Sequence, residues 1–203
     1  QLFELARENN VILLDNVKMV YLKVFNQLLW MTQGGLIGDI VSFNCSVSKQ
    51  DKSVDDLFYG LMAMALCPMI KIMGSYYEDM ECKLAEKDGR IEFGSLRFEY
   101  PNGEANINVG NSIRVENKME IIGTTGTIRL KDNWWKANYF ELDSVAAEET
   151  EIYSMNFEGN GFKFLIKDLS TMLANGRTET RRLFPEESVK IIEILEKLSN
   201  QQN

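Results

Sequence analysis

The sequence predicts an α+β fold: a mostly antiparallel β-sheet, greasy on one face, with helices packed on that face. Two observations predict the sheet. Between Ile91 and Lys131 apolar and polar residues alternate: Leu96, Phe98 and Tyr100 against Arg97 and Glu99; Ile107 and Val109 against Asn106 and Asn108; Ile113 and Val115 against Arg114 and Glu116; Ile128 and Leu130 against Thr127 and Arg129. A period of two puts the apolar members on one side of a strand. The runs are separated by turn chemistry at Pro101-Asn102-Gly103, Gly110-Asn111 and Gly123-Thr124-Thr125-Gly126. Together they read as a meander of antiparallel strands. The third observation predicts the helices: apolar residues at helical spacing occupy long stretches on both sides of this region.

The elements follow in order. Residues 2–9 read as the end of an amphipathic helix stopped by Asn9-Asn10, and residues 11–14 (Val-Ile-Leu-Leu) as a short strand buried on both faces. This pair resembles the last piece of an α/β domain, residues 1–16, whose body would lie upstream. The chain does not begin with Met, in keeping with that expectation. Residues 17–33 predict one helix with Met19, Tyr21, Leu22, Phe25, Leu28, Leu29 and Trp30 on its apolar stripe, closed by Gly34-Gly35. Residues 39–48 alternate and should join the sheet; 49–56 form a polar loop. Residues 57–73 predict a helix apolar on most sides, kinked or split at Pro68. Strands are expected near 77–85, 140–142 and 152–157, and helices over 162–175, closed by Gly176, and 186–200, opened by Pro185 and two acids.

Composition narrows the function classes. The 203 residues are 45% hydrophobic and 26% charged, ordinary for a globular chain, with a net charge of −8. An acidic chain without a basic cluster is a poor nucleic-acid binder. No apolar run reaches the ~18 residues of a membrane span. Cys45, Cys67 and Cys82 lack metal-type spacing and read as reduced thiols in a cytoplasmic setting. With no histidine, Ser/His and Cys/His nucleophile systems and His-ligated metals are excluded, and no metal site is expected.

Few residues carry chemistry. Gly34-Gly35-Leu36-Ile37-Gly38 follows a helix and precedes a strand, the reverse of a dinucleotide fingerprint, so no cofactor-binding residues are assigned. Trp134-Trp135 followed by Lys136 suits either stacking on a ligand or packing over a sheet edge. Lys18, at the junction of the two parts, is either solvated or a substrate contact, and Tyr21 shares its predicted helix. Asp55-Asp56 reads as a helix cap or a carboxylate pair.

Three segments then point to a family. ELARENNVILLDNVKMVYLKVFNQLLWMTQGGLIGDIVSF resembles the passage from the nucleotide domain to the second domain in Gfo/Idh/MocA oxidoreductases. MEIIGTTGTIRLKDNWWKANYFEL is similar to that family's hairpin and its WW segment, and FEGNGFKFLIKDLSTMLANGRTET with PEESVKIIEILEKL to its closing helices. The resemblance implies that residues 17–203 are a substrate-binding and oligomerisation domain on a large open sheet. They would follow the last helix and strand of a Rossmann domain that is otherwise missing. The implied reaction is hydride transfer between NAD or NADP and a hydroxyl of a sugar, sugar derivative or cyclitol, with the nucleotide and the catalytic lysine held upstream. It also implies a homodimer through the open sheet face. Substrate contacts are expected from Lys18, Tyr21, Trp134, Trp135 and Lys136. The family's usual acid, and the Tyr or His four positions on, fall here on Gly60 and Met64, which cannot move protons; a further frequent acid falls on Leu165. The rival expectation is therefore a non-catalytic binding or assembly module derived from such an enzyme.

Overall fold

The computed structural model of the chain describes residues 1–48, 57–156, 159 and 161–200. The expected loop over 49–56, with Asp55-Asp56, lies outside them. Eight strands form a single open sheet: β1 (Ile40–Ser48), β2 (Asp79–Lys87), β3 (Arg90–Tyr100), β4 (Gly103–Gly110), β5 (Lys118–Gly123), β6 (Gly126–Lys131), β7 (Tyr139–Ser144) and β8 (Glu151–Ser154). Among the described residues five α-helices accompany it: α1 (Leu2–Glu8), α2 (Lys23–Gln33), α3 (Phe58–Met73), α4 (Phe162–Ala174) and α5 (Pro185–Asn200). The fold is α+β with a mostly antiparallel sheet, as expected.

The strand order is β2-β3-β4-β1-β5-β6-β7-β8. This corrects the simple meander. β1 lies between β4 and β5, parallel to β4 and antiparallel to β5. Gly110-Asn111 is therefore no hairpin turn. It opens a connection, 111–117, that passes over the end of β1, and Ile113 and Val115 belong to it rather than to a strand. Two serines of β1 hold it there. The Ser46 hydroxyl donates to the Glu116 carbonyl (2.5 Å) and the Ser48 hydroxyl to the Val115 carbonyl (2.8 Å). The Ser48 amide donates to Asn117 Oδ1 (2.7 Å). Alternation favours a strand, as it did without success over 113–116, but it does not choose the neighbour, which the placement of these hydroxyls helps to decide.

One face of the sheet is the core. Phe43, Cys45 and Val47 of β1, Leu96 and Phe98 of β3, Ala105, Ile107 and Val109 of β4, and Met119 and Ile121 of β5 are all buried on it. Each large apolar side chain taken out of water contributes roughly 1.5–3 kcal/mol. Helix α3 lies on this face against β1, β3 and β4, and α5 packs on α3. The other face is polar. Arg97 meets Glu104 (3.0 Å), Arg129 sits between Glu120 (2.8 Å) and Asp143, Lys131 meets Glu141 (2.8 Å), and Asn106 donates to Asn44 Oδ1 (3.1 Å). Among the described residues no helix is long and apolar enough to cross a membrane.

Three local expectations are corrected. Residues 11–14 form no strand: Val11 is 53% exposed, and no strand of the sheet pairs with them. An isolated run has nowhere to send its backbone hydrogen bonds, so propensity alone does not make it a strand. The helix expected over 17–33 is broken at Leu22, which is extended (φ −66°, ψ 136°) between one turn of 3₁₀-helix, Lys18–Tyr21, and α2. Asn26 fixes the break by donating to the carbonyls of Val20 (2.9 Å) and Leu22 (2.7 Å). Trp30, placed on the apolar stripe by its spacing, is exposed. Pro68 does not split α3, which runs through it with Ala65, Leu66, Cys67, Met69 and Ile70 all buried. Packing on both flanks outweighs the missing hydrogen bond, and the carbonyl of Met64 is left without its helical donor.

Candidate functional site

A cavity of about 810 Å³ lies between the N-terminal segment, α3, α5 and the turn at Trp135. Its N-terminal wall is built by a change of direction after α1. Asn10 adopts φ +53° and Val11 donates to the Ala6 carbonyl (3.0 Å), which ends the helix and leads into a segment without regular structure over 11–17. The 3₁₀-turn then buries Met19, Val20 and Tyr21 together. Lys18 is the member of that turn left exposed, and it lines the cavity.

The opposite wall is helical. Gly60, Ala63 and Met64 recur at i, i+3 and i+4 on α3, so they form one face of it. Ser188, Ile191 and Ile192 of α5 continue the wall, and Val189 stands at its edge. The lining is overwhelmingly apolar. Among the described residues, the charged side chains of the lining are Asp15, Lys18, Glu193 and Glu196, all exposed.

The five expected substrate contacts separate. Lys18 and Trp135 line the cavity; Tyr21, Trp134 and Lys136 do not. Trp134 is a core residue: it is buried, its Nε1–H donates to the Ser46 carbonyl (3.0 Å), and its ring meets Trp135 edge-to-face at 5.6 Å. Trp134 thereby braces Trp135, which is half-buried against the cavity. Lys136 points to solvent. Tyr21 is 4% exposed, and its hydroxyl has no hydrogen-bond partner among the described residues. Burial pushes its phenol above the ordinary value, opposed by Thr180 beside it. Tyr21 therefore supports the turn that carries Lys18.

Gly60 and Met64 both face the cavity, so these two positions and Lys18 meet in one place. The glycine is not required by crowding: a Cβ built there meets nothing within 4 Å, and its φ is not positive. Glycine within a helix costs about 0.5–1 kcal/mol relative to alanine. Leu165 is buried in the core, away from the cavity. Sequence reasoning missed Asp15, Glu193 and Glu196. Exposed acids on a helix look like a solvated face, and only the packing of α5 on α3 turns Glu193 and Glu196 toward a cavity.

No pyrophosphate site fits the glycine-rich segment after α2. Gly35 and Gly38 have φ of +77° and +73°, and the segment closes the C-terminal end of α2, where the helix dipole is negative. Among the described residues no group of three or more His, Cys, Asp or Glu side chains is placed to hold a metal. All three cysteines are free, and burial pushes the Cys67 thiol up to about 12 and the Cys45 thiol well above its ordinary value.

No protein-family model matches the chain, and no curated protein matches it. Solved structures do. A 3-ketoreductase from Actinomadura kijaniata, solved with NADP and TDP-benzene, superposes at a TM-score of 0.75 over 94% of this chain and 62% of its own, at 18% identity. A dehydrogenase from Clostridium difficile gives 0.77 over 98% of this chain and 65% of its own, at 16% identity. An oxidoreductase from Thermotoga maritima gives 0.69 over 89% of this chain and 57% of its own, at 20% identity. The chain thus spans a little over three fifths of the length of the 3-ketoreductase it matches. Its fold is the one the family resemblance implies, that of the C-terminal portion of Gfo/Idh/MocA-type oxidoreductases.

Proposed function

We propose that this chain is the substrate-binding and oligomerisation part of an NAD(P)-dependent oxidoreductase acting on a hydroxyl of a sugar, sugar derivative or cyclitol, in a reducing, cytoplasmic setting. The observation that carries the reading is the convergence of Lys18, Gly60, Met64 and Trp135 on one cavity large enough for such a substrate. The cofactor supplies the hydride, and nothing among the described residues suits its pyrophosphate. This chain's own residues bind and orient: Trp135 offers a stacking face and Lys18 a cation for an oxygen of the substrate. Titration calorimetry with NADH and NADPH tests the division of labour. The expected result is no saturable heat at micromolar cofactor; micromolar binding by this chain alone overturns it.

A second reading draws on the same wall. Gly60 and Met64 offer no exchangeable proton, which favours a binding or assembly module that has lost the chemistry. Joined to a nucleotide-binding partner domain, an enzyme turns over NAD(P) with some sugar or cyclitol, whereas a module turns over none.

The oligomerisation half of the proposal rests on the sheet. Its polar face is the broad surface that no helix roofs, and a second copy would cover it as a homodimer. Ion pairs such as Arg97–Glu104, exposed in the single chain, would lose water in a symmetric contact and would need partners across it. Light scattering at micromolar chain should return twice the monomer mass; a monomer at that concentration removes the dimer.

A further inference from the structure

The cavity is a poor fit for a bare polyol, whose hydroxyls would meet walls with few polar partners. Gly60 on its wall leaves out a side chain there, which neither a tight contact nor a positive φ demands. A residue that weakens its helix without structural cause, on a cavity wall, keeps room for something. Ala63, Met64, Met19 and Ile191, all apolar, line the same cavity. The exposed part of the lining has the opposite character: Asp15, Glu193 and Glu196 supply three carboxylates, and among the described residues Lys18 is the single lysine or arginine in the wall. Glu193 is met by Lys190 at 3.5 Å from outside the wall. One further feature favours a cation over an anion: Trp135 presents an aromatic ring, which attracts ammonium groups.

We infer that this cavity binds an apolar molecule carrying an ammonium group, its bulk over Gly60 and Met64 and its charge at the mouth near Glu193, Glu196 and Asp15. The inference rests on the reading of this cavity as the substrate wall and narrows its substrate class to amino-substituted hydroxyl compounds with an apolar part. Anionic ligands are disfavoured by the same mouth.

Calorimetry on the chain with three rigid probes tests it: 1-adamantylmethylamine, 1-adamantanemethanol and 1-adamantaneacetate, beside myo-inositol. The amine should bind about tenfold tighter than the alcohol, and the carboxylate weakest. The double variant Glu193→Gln/Glu196→Gln should bring the amine to the level of the alcohol. Gly60→Ala should raise Tm by roughly 1–4 °C, since alanine is the better helix former, and weaken the amine at least fivefold. Equal binding of amine and carboxylate overturns the inference, as does a Gly60→Ala chain that keeps full affinity, or a folded chain that binds no adamantane. Saturable myo-inositol binding without amine binding overturns it and leaves the sugar-dehydrogenase reading intact. Amine binding by a protein that, completed with a nucleotide-binding domain, turns over no NAD(P) does the reverse.

Discussion

Gly110→Ala should lower the stability of the chain by about 3–5 kcal/mol, a fall in Tm of roughly 6–20 °C for a chain of this size. A Cβ at Gly110 would lie 1.9 Å from the carbonyl oxygen of Ile113 and 3.2 Å from the Cβ of Ser48. The first is a backbone atom, so no side-chain rotation relieves it. Moving it means moving the connection over 111–117, which is tied to β1 through Ser46, Ser48 and Asn117. Gly110 also pairs with Ser48 in the parallel ladder and with Phe93 in the antiparallel one. The substitution therefore loads the one place where the chain leaves β4, passes β1 and enters β5. Thermal unfolding followed by circular dichroism measures the effect, with Gly60→Ala as the control that should move the other way. A Gly110→Ala chain that melts within 2 °C of the parent would show that the connection yields easily and that this crossing is not what holds the sheet order.

That crossing marks what the sequence could and could not reveal. The period of two along residues 91–110 and 126–131 identified strands, because the alternation is a property of the chain itself. The insertion of β1 between β4 and β5 was not legible, since pairing depends on residues more than 60 positions apart, such as Ser46 and Glu116. Helix α3 was readable from composition, yet its survival through Pro68 came from burial on both flanks. The break at Leu22 hung on the side chain of Asn26, which no periodicity registers. For the site, the reading of the sequence singled out Lys18 and Trp135 and the family resemblance added the positions Gly60 and Met64, and the fold brings all four to one cavity. The sequence also offered Tyr21, Trp134 and Lys136, whose spacing along the chain says nothing of which way a 3₁₀-turn points them. The acids at the mouth had no sequence signal, because a glutamate on α5 reads the same whether it faces bulk water or a cavity rim.

Glu187→Ala should cost about 3 kcal/mol, more than any exposed ion pair of the chain, because of where its partner sits. Lys71 on α3 and Glu187 on α5 meet with Lys71 Nζ 3.0 Å from both carboxylate oxygens, and their side chains are only 10% and 16% exposed. Oε2 of Glu187 also accepts the Phe184 amide at 2.7 Å, which closes the first turn of α5, and Lys71 lies 5.2 Å from the centre of the Phe184 ring. Removing the carboxylate leaves a nearly buried ammonium and an unpaired amide. Lys71→Met should be costly for the mirror reason, the carboxylate being left without its cation. The double variant Lys71→Met/Glu187→Leu should recover most of the loss, since two apolar side chains of similar length need no partner. A thermodynamic cycle over the four chains, by urea unfolding, reads the coupling directly. Large single losses with a mild double place the strength of the α3–α5 joint in mutual dependence of the charges. Single losses that simply add would mean instead that Lys71 and Glu187 act separately, and that the apolar contacts of Ile191, Ile194 and Leu198 hold α5 over the cavity on their own.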